Sequence, residues 1–165
     1  MTTNQGEILV KPGEGDSYWV LGDLYTIKAR SEDTSGGYGL IEIVFSPQGG
    51  APMHVHHQED EAFYVLEGEI EFQIEEQIIN ATPGTFVHVP KGRPHSFANK
   101  GVNPAKALAW VAPGGLEKMF MEIGTQTTDT LASPPTVSPT DAEKLFAVVP
   151  KYGLELLPPK PETVE

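Results

Sequence analysis

Polar and apolar residues alternate along much of the chain, in short runs separated by turn residues. Ile70, Phe72 and Ile74 alternate with Glu69, Glu71, Gln73 and Glu75, the period-two pattern of a strand with one buried and one wet face. Ile41, Ile43 and Phe45 repeat that pattern over residues 38–45. Residues 17–30 read as one or two strands broken near Gly22-Asp23, and further strands are predicted over about 51–57, 61–66, 85–89, 95–99 and 105–111. The connections are rich in Gly and Pro: residues 46–50, a tight hairpin turn at Glu67-Gly68, Thr82-Pro83-Gly84, and residues 90–94. Short strands joined by hairpin-length turns predict an all-β fold, an antiparallel jelly-roll β-barrel.

Helical spacing begins only after Pro113. Leu116, Met119, Phe120 and Ile123 fall at i, i+3, i+4 and i+7, with Gly124 placed to end the helix. Residues 125–139 read as an extended loop. Thr140-Asp141-Ala142-Glu143 has the form of a capping box, and Ala142, Leu145, Phe146 and Val149 then trace a second amphipathic helix. The expected organisation is a barrel over residues 1–112 including the N-terminal strands, a C-terminal helical cover of the same domain over 113–157, and a disordered tail over 158–165.

Composition narrows the function. A chain of 165 residues suits one domain with one core. With 11 Lys+Arg against 23 Asp+Glu the net charge is −12, which disfavours nucleic acid and anionic membrane surfaces as partners. Cysteine is absent, so disulfides, thiolate metal sites and cysteine nucleophiles are excluded. No apolar run approaches the ~18–20 residues of a membrane span. The start of the chain lacks the basic flank and apolar core of a secretory signal. A cytoplasmic protein acting on a small molecule is the expectation.

All five histidines, His54, His56, His57, His88 and His95, lie within residues 54–95. His54 and His56 are two apart on a predicted strand, so their imidazoles share a face. Glu61 follows five residues later; odd spacing would put it on the opposite face of an unbroken strand, and the polar corner at 57–60 supplies the bend that brings it back. His95 comes from a separate strand. Three imidazoles and a carboxylate suit one divalent transition metal among Fe, Mn, Ni, Co, Cu and Zn, and leave coordination positions open. His57 and His88 are expected to face outward, and Glu59 and Asp60 to be solvated loop acids.

The run from Gly50 to Gly68 resembles the first cupin motif, HxH-x3–4-E-x6-G. The run from Gly84 to Asn99 resembles the second, G-x5-P-x-G-x2-H-x3-N, at each named position. One departure lies upstream, where the family's glycine falls at Gln48. The resemblance implies that His54, His56, Glu61 and His95 bind the metal. The layout is similar to bacterial quercetin 2,3-dioxygenase-like cupins, which implies a metal-dependent dioxygenase of a small phenolic or enol-bearing compound. In that chemistry Glu61 doubles as a general base. Two alternatives stay open, an isomerase or epimerase using the same metal and a non-enzymatic small-ligand binder. Phe45, Phe63, Val65, Phe72, Phe86, Phe97 and Trp110 are the candidate walls of an apolar substrate pocket. A homodimer is expected, because the resemblance is to cupins that often pair through their sheets and because residues 17–30 would otherwise form an exposed sheet edge.

Overall fold

The structure, a computed structural model, describes residues 6–158. The elements run β1 (Asp16–Val20), β2 (Asp23–Ala29), β3 (Gly39–Phe45), β4 (Gly50–His56), β5 (Asp60–Glu67), β6 (Ile70–Ile74), β7 (Gln77–Ala81), β8 (Phe86–Val89), β9 (His95–Ala98), β10 (Ala105–Ala112), α1 (Glu117–Ile123), β11 (Thr125–Thr127), α2 (Pro139–Val148), a 3-10 turn at Val149–Tyr152 and β12 (Leu154–Leu156). The strands form a seven-stranded sheet in the order β11-β1-β2-β3-β10-β5-β8 and a five-stranded sheet in the order β12-β4-β9-β6-β7. Every pairing is antiparallel.

The expected barrel is corrected by this topology. Among the described residues no ladder joins an edge of one sheet to an edge of the other, so the fold is two open antiparallel sheets with a C-terminal helical extension. From β3 to β10 the chain changes sheet at every connection except β6 to β7. Consecutive strands therefore face each other across the core instead of pairing side by side. Glu67-Gly68 accordingly joins the two sheets and is not a hairpin turn. Gly68 has φ of 72°, and a Cβ there would stand 2.8 Å from the Cβ of Ala105. The true hairpin is β6–β7, turning at Glu75 with φ of 53°.

The inward faces of both sheets supply one core, in which Phe45, Phe63, Val65, Ile70 and Phe72 are completely or almost completely buried. A second cluster of Val111, Leu116, Met119, Val149 and Leu154 seats the C-terminal elements against the sheets. Glu117 anchors α1: although wholly buried, its carboxylate accepts hydrogen bonds from the Ser31 amide at 2.6 Å and the Gly115 amide at 2.8 Å.

Three further expectations shift. The segment read as an extended loop contains β11, which pairs with β1 through Ser17–Thr127, Tyr18–Gln126 and Trp19–Thr125. The edge at residues 17–30 is thus covered within the chain, which removes the exposed-edge argument for a homodimer. The capping box of α2 starts two residues earlier than read: Ser138 is the N-cap, its amide donates to Asp141 Oδ2 at 2.8 Å, and Pro139 opens the helix. Most of the tail expected over 158–165 lies outside the described residues. Among those described, no helix is long and apolar enough to cross a membrane.

Candidate metal centre

β4 and β9 are neighbours in the five-stranded sheet, and His54 lies directly opposite His95 in their ladder. His56 follows on the same face of β4. Glu61 comes from β5 in the other sheet, so residues 57–60 carry the chain from one sheet to the other. The face-parity argument for a single strand therefore does not apply, and the carboxylate points at the imidazoles across the interior.

The four side chains are buried, and one ligand atom from each lies within 4.8 Å of all the others. His54 Nε2 is 3.1 Å from His56 Nε2. Glu61 Oε2 is 2.8 Å from His95 Nε2, 3.2 Å from His56 Nε2 and 4.0 Å from His54 Nε2. The outer ring nitrogens fix how the imidazoles are turned. His54 Nδ1 donates to the Pro52 carbonyl at 2.7 Å and His95 Nδ1 to the Arg93 carbonyl at 3.0 Å. A carbonyl only accepts, so in the neutral rings the hydrogen is on Nδ1 and the Nε2 lone pairs point inward. His56 Nδ1 instead faces Glu59 Oε2 at 3.5 Å, and neither atom has a hydrogen-bond partner among the described residues.

This donor set fits a divalent cation. When all three rings are neutral with hydrogen on Nδ1, three inward lone pairs and a carboxylate oxygen all accept, and acceptors at 2.8–3.2 Å repel unless a proton or a cation sits among them. Burial, aided by the charge of His95, lowers the His54 pKa to about 4, so this ring is neutral near pH 7. Burial also opposes charge on His56, but Glu61 and then Glu59 outweigh it and carry the pKa up to about 9. Burial would push Glu61 up; His56 and His95 outweigh it and hold the carboxyl well below its ordinary range. Without a metal, the raised pKa of His56 and the lowered pKa of Glu61 favour a protonated imidazole beside an ionised carboxylate, and a metal ion would take the place of that proton.

A narrow cavity of about 60 Å³ opens beside the cluster. Its walls include Ile41 and Ile43 of β3, Met119 and Phe120 of α1, and Leu154 and Leu156 of β12. Among the described residues, the only polar side chains lining it are His54, His56, Glu61 and Tyr25, and no Lys or Arg lines it. Of the aromatic and aliphatic walls expected from the sequence, Phe97 lines this cavity. Phe45, Phe63, Val65 and Phe72 pack in the core away from it. Phe86 and Trp110 lie on the outer face of the seven-stranded sheet, stacked with ring centroids 5.4 Å apart, while Val87, Val89 and Val111 take the inward positions.

His57 is exposed and bonds Glu155 at 2.9 Å; His88 is exposed, 3.8 Å from Asp60. Asp60 accepts the Lys91 amide at 2.9 Å. Glu59, expected in solvent, is buried behind His56. Tyr25 was not anticipated; period-two spacing places it on one face with Asp23 and Ile27 but does not say which face is inward.

The chain carries a cupin domain. The cupin domain model matches residues 41–111, which span β3 to β10 and all four clustered residues. Quercetin 2,3-dioxygenase of Bacillus subtilis (strain 168) is 30% identical over 117 residues, covering 70% of this chain but only 34% of that protein. The chain thus spans about a third of this curated relative. KdgF from Halomonas sp. shares the fold with a TM-score of 0.60 at 16% identity, over 68% of this chain and 98% of that one. A predicted oxalate decarboxylase from Thermotoga maritima does so with a TM-score of 0.56 at 18% identity, over 68% and 99% of the two chains.

Proposed function

We propose that the chain is a metal-dependent dioxygenase of a small enol-bearing or phenolic compound. The observation that carries this reading is the buried cluster of His54, His56, His95 and Glu61, of which His54, His56 and Glu61 line a cavity that is apolar apart from them and Tyr25. His54, His56, His95 and Glu61 would hold one divalent transition metal, and its identity among Fe, Mn, Ni, Co, Cu and Zn is set by availability as much as by the ligands. When bound, the metal supplies Lewis acidity and open coordination positions. Glu61 has the second task of taking a proton from a substrate hydroxyl, as a carboxylate within hydrogen-bond reach can. The apolar walls exclude water and favour an uncharged organic substrate. The absence of Lys and Arg from the lining counts against a phosphorylated one.

The cavity also bears on size. An engineered apolar cavity that takes up benzene measures ~150 Å³. The space here is about 60 Å³. The space is smaller than one that takes up benzene, so it favours a compact substrate, and a flavonol would need the walls to move apart. Similarity to quercetin 2,3-dioxygenase supports the reaction class more than that substrate.

The test begins with elemental analysis of protein purified without an affinity metal column, followed by oxygen uptake on a panel of small enols, catechols and flavonols. The expected result is about one transition-metal ion per chain and metal-dependent oxygen consumption on a compact enol or catechol. Glu61→Gln should keep much of the metal and slow turnover. Stoichiometric metal with no oxygen uptake on any member of the panel would overturn the dioxygenase reading.

A further inference from the structure

We infer that Tyr25 is a ligand-positioning residue, whose hydroxyl donates a hydrogen bond to an acceptor oxygen of a small ligand that presents a second oxygen to the His54–His56–Glu61–His95 cluster. The inference rests on the proposed metal site and narrows its ligand class.

Tyr25 is 5% exposed and lies at the centre of β2, with Tyr18 and Ile43 beside it in the neighbouring strands. Its ring packs on Phe120 of α1, with centroids 4.6 Å apart. That contact explains the ring and leaves the hydroxyl unexplained. A buried phenol ordinarily finds a partner, since an unmatched polar group costs stability. The Tyr25 hydroxyl makes no hydrogen bond with any described residue and is not among the fully enclosed polar atoms left without a partner, so it is open to the cavity that the side chain lines with His54, His56 and Glu61. Among the described residues it is the one polar side chain on those walls outside the cluster.

Burial raises the phenol's pKa well above its ordinary value, and Asp23 and Glu61 raise it further. The hydroxyl thus stays protonated and acts as a donor. A donor on the walls of a cavity that His54, His56 and Glu61 also line defines a ligand with two oxygen functions. One oxygen meets the cluster, another accepts from Tyr25, and the remainder is small and apolar. Compact α-hydroxy ketones, enediols and hydroxamates have this form. A hydrocarbon, or a ligand with one oxygen only, would leave the hydroxyl unmatched.

The experiment uses the full chain loaded with Zn(II), which performs no redox chemistry, and compares wild type with Tyr25→Phe. The substitution removes one oxygen and keeps the ring on Phe120. Two probes are titrated by calorimetry: acetohydroxamate, with two oxygens on a five-atom frame, and azide, which has none. The expected result is about tenfold weaker acetohydroxamate binding in Tyr25→Phe, the loss of one buried hydrogen bond, with azide affinity, zinc content and melting temperature unchanged. Equal acetohydroxamate affinity in both proteins would overturn the role of Tyr25. So would a matching loss of azide affinity, or wild-type protein that holds zinc and ignores acetohydroxamate. Wild type that takes up no zinc would instead remove the metal site on which the inference stands.

Discussion

His54 and His95 are direct cross-strand partners, their rings 4.2 Å apart, and each anchors its Nδ1 on the carbonyl two residues before it, Pro52 and Arg93. The ladder sets their separation and the carbonyls set their rotation, so both Nε2 atoms are aimed before any ion arrives. Removing either ring takes away a pre-oriented donor. His95→Ala is expected to weaken metal binding by at least about 100-fold, more than the loss of an outer-shell partner costs. Metal content after dialysis against a weak chelator measures it, and a variant that keeps stoichiometric metal would remove His95 from the ligand set.

His56 has no carbonyl behind it; its Nδ1 stands 3.5 Å from the buried carboxylate of Glu59, close enough for charge to act but without a hydrogen bond in this structure. A carboxylate behind an imidazole holds the ring's orientation and makes it a stronger donor. Glu59→Gln retains the shape and removes the charge. The expected outcome is about 10- to 100-fold weaker metal affinity. The melting temperature of the metal-free protein in chelator separates this from a folding defect. An unchanged metal affinity would show that Glu59 plays no part in the centre.

Asp23 gives the fold a pH dependence independent of the cluster. It is 1% exposed; burial raises its pKa to about 7, against the opposing pull of the Ser46 and Gly50 amides, and it accepts the Ser46 amide at 2.8 Å. The folded state therefore keeps a proton that the unfolded chain releases near pH 4. This group's contribution is full below about pH 4 and is lost as pH rises through about 7. The span is on the order of 4 kcal/mol. Asp23→Asn cannot ionise. Relative to the variant, wild type should lose stability steadily between pH 4 and 7 in urea unfolding, and parallel curves for the two proteins would refute the assignment.

The two sequence motifs made the donor set legible because ligand spacing is local: His54 and His56 on one strand, His95 behind a rigid turn. The pairing of strands was not legible. Alternation at Ile41, Ile43 and Phe45 marks a buried face without saying which strand lies alongside, and the repeated crossing between sheets replaced the expected hairpins and the closed barrel. The same ambiguity misplaced Phe86 and Trp110. In β8, Phe86 and Val87 are both apolar, and only the tertiary arrangement decides that the valine goes inward. β7 escaped notice because most of its residues are exposed, and β12 because three residues carry too little pattern. Glu59 reads as a loop acid until the turn folds it behind His56.

Gln48 occupies the position of the cupin glycine and keeps the conformation that glycine would adopt, with φ of 66°. A side chain in the left-handed region costs about 1–2 kcal/mol relative to the right-handed one. Glycine relieves that cost and adds back ~0.5–1 kcal/mol of chain entropy on folding. The Gln48 side chain contributes little against this, since its contacts to the Lys100 and Gly101 carbonyls are long, at 3.3 and 3.5 Å, and exposed. The backbone contacts that fix the turn, Gln48 N to the Asn99 carbonyl and Asn99 N to the Gly49 carbonyl, both at 2.9 Å, do not depend on the side chain. Relief should win by roughly 0.5–1 kcal/mol. Gln48→Gly is therefore expected to raise the melting temperature by a few degrees and leave metal content unchanged, whereas Gln48→Val, β-branched and ill-suited to positive φ, should lower it. Thermal unfolding of the three proteins in chelator decides the matter; a glycine variant less stable than wild type would mean that the glutamine side chain supports the turn more than its contacts account for.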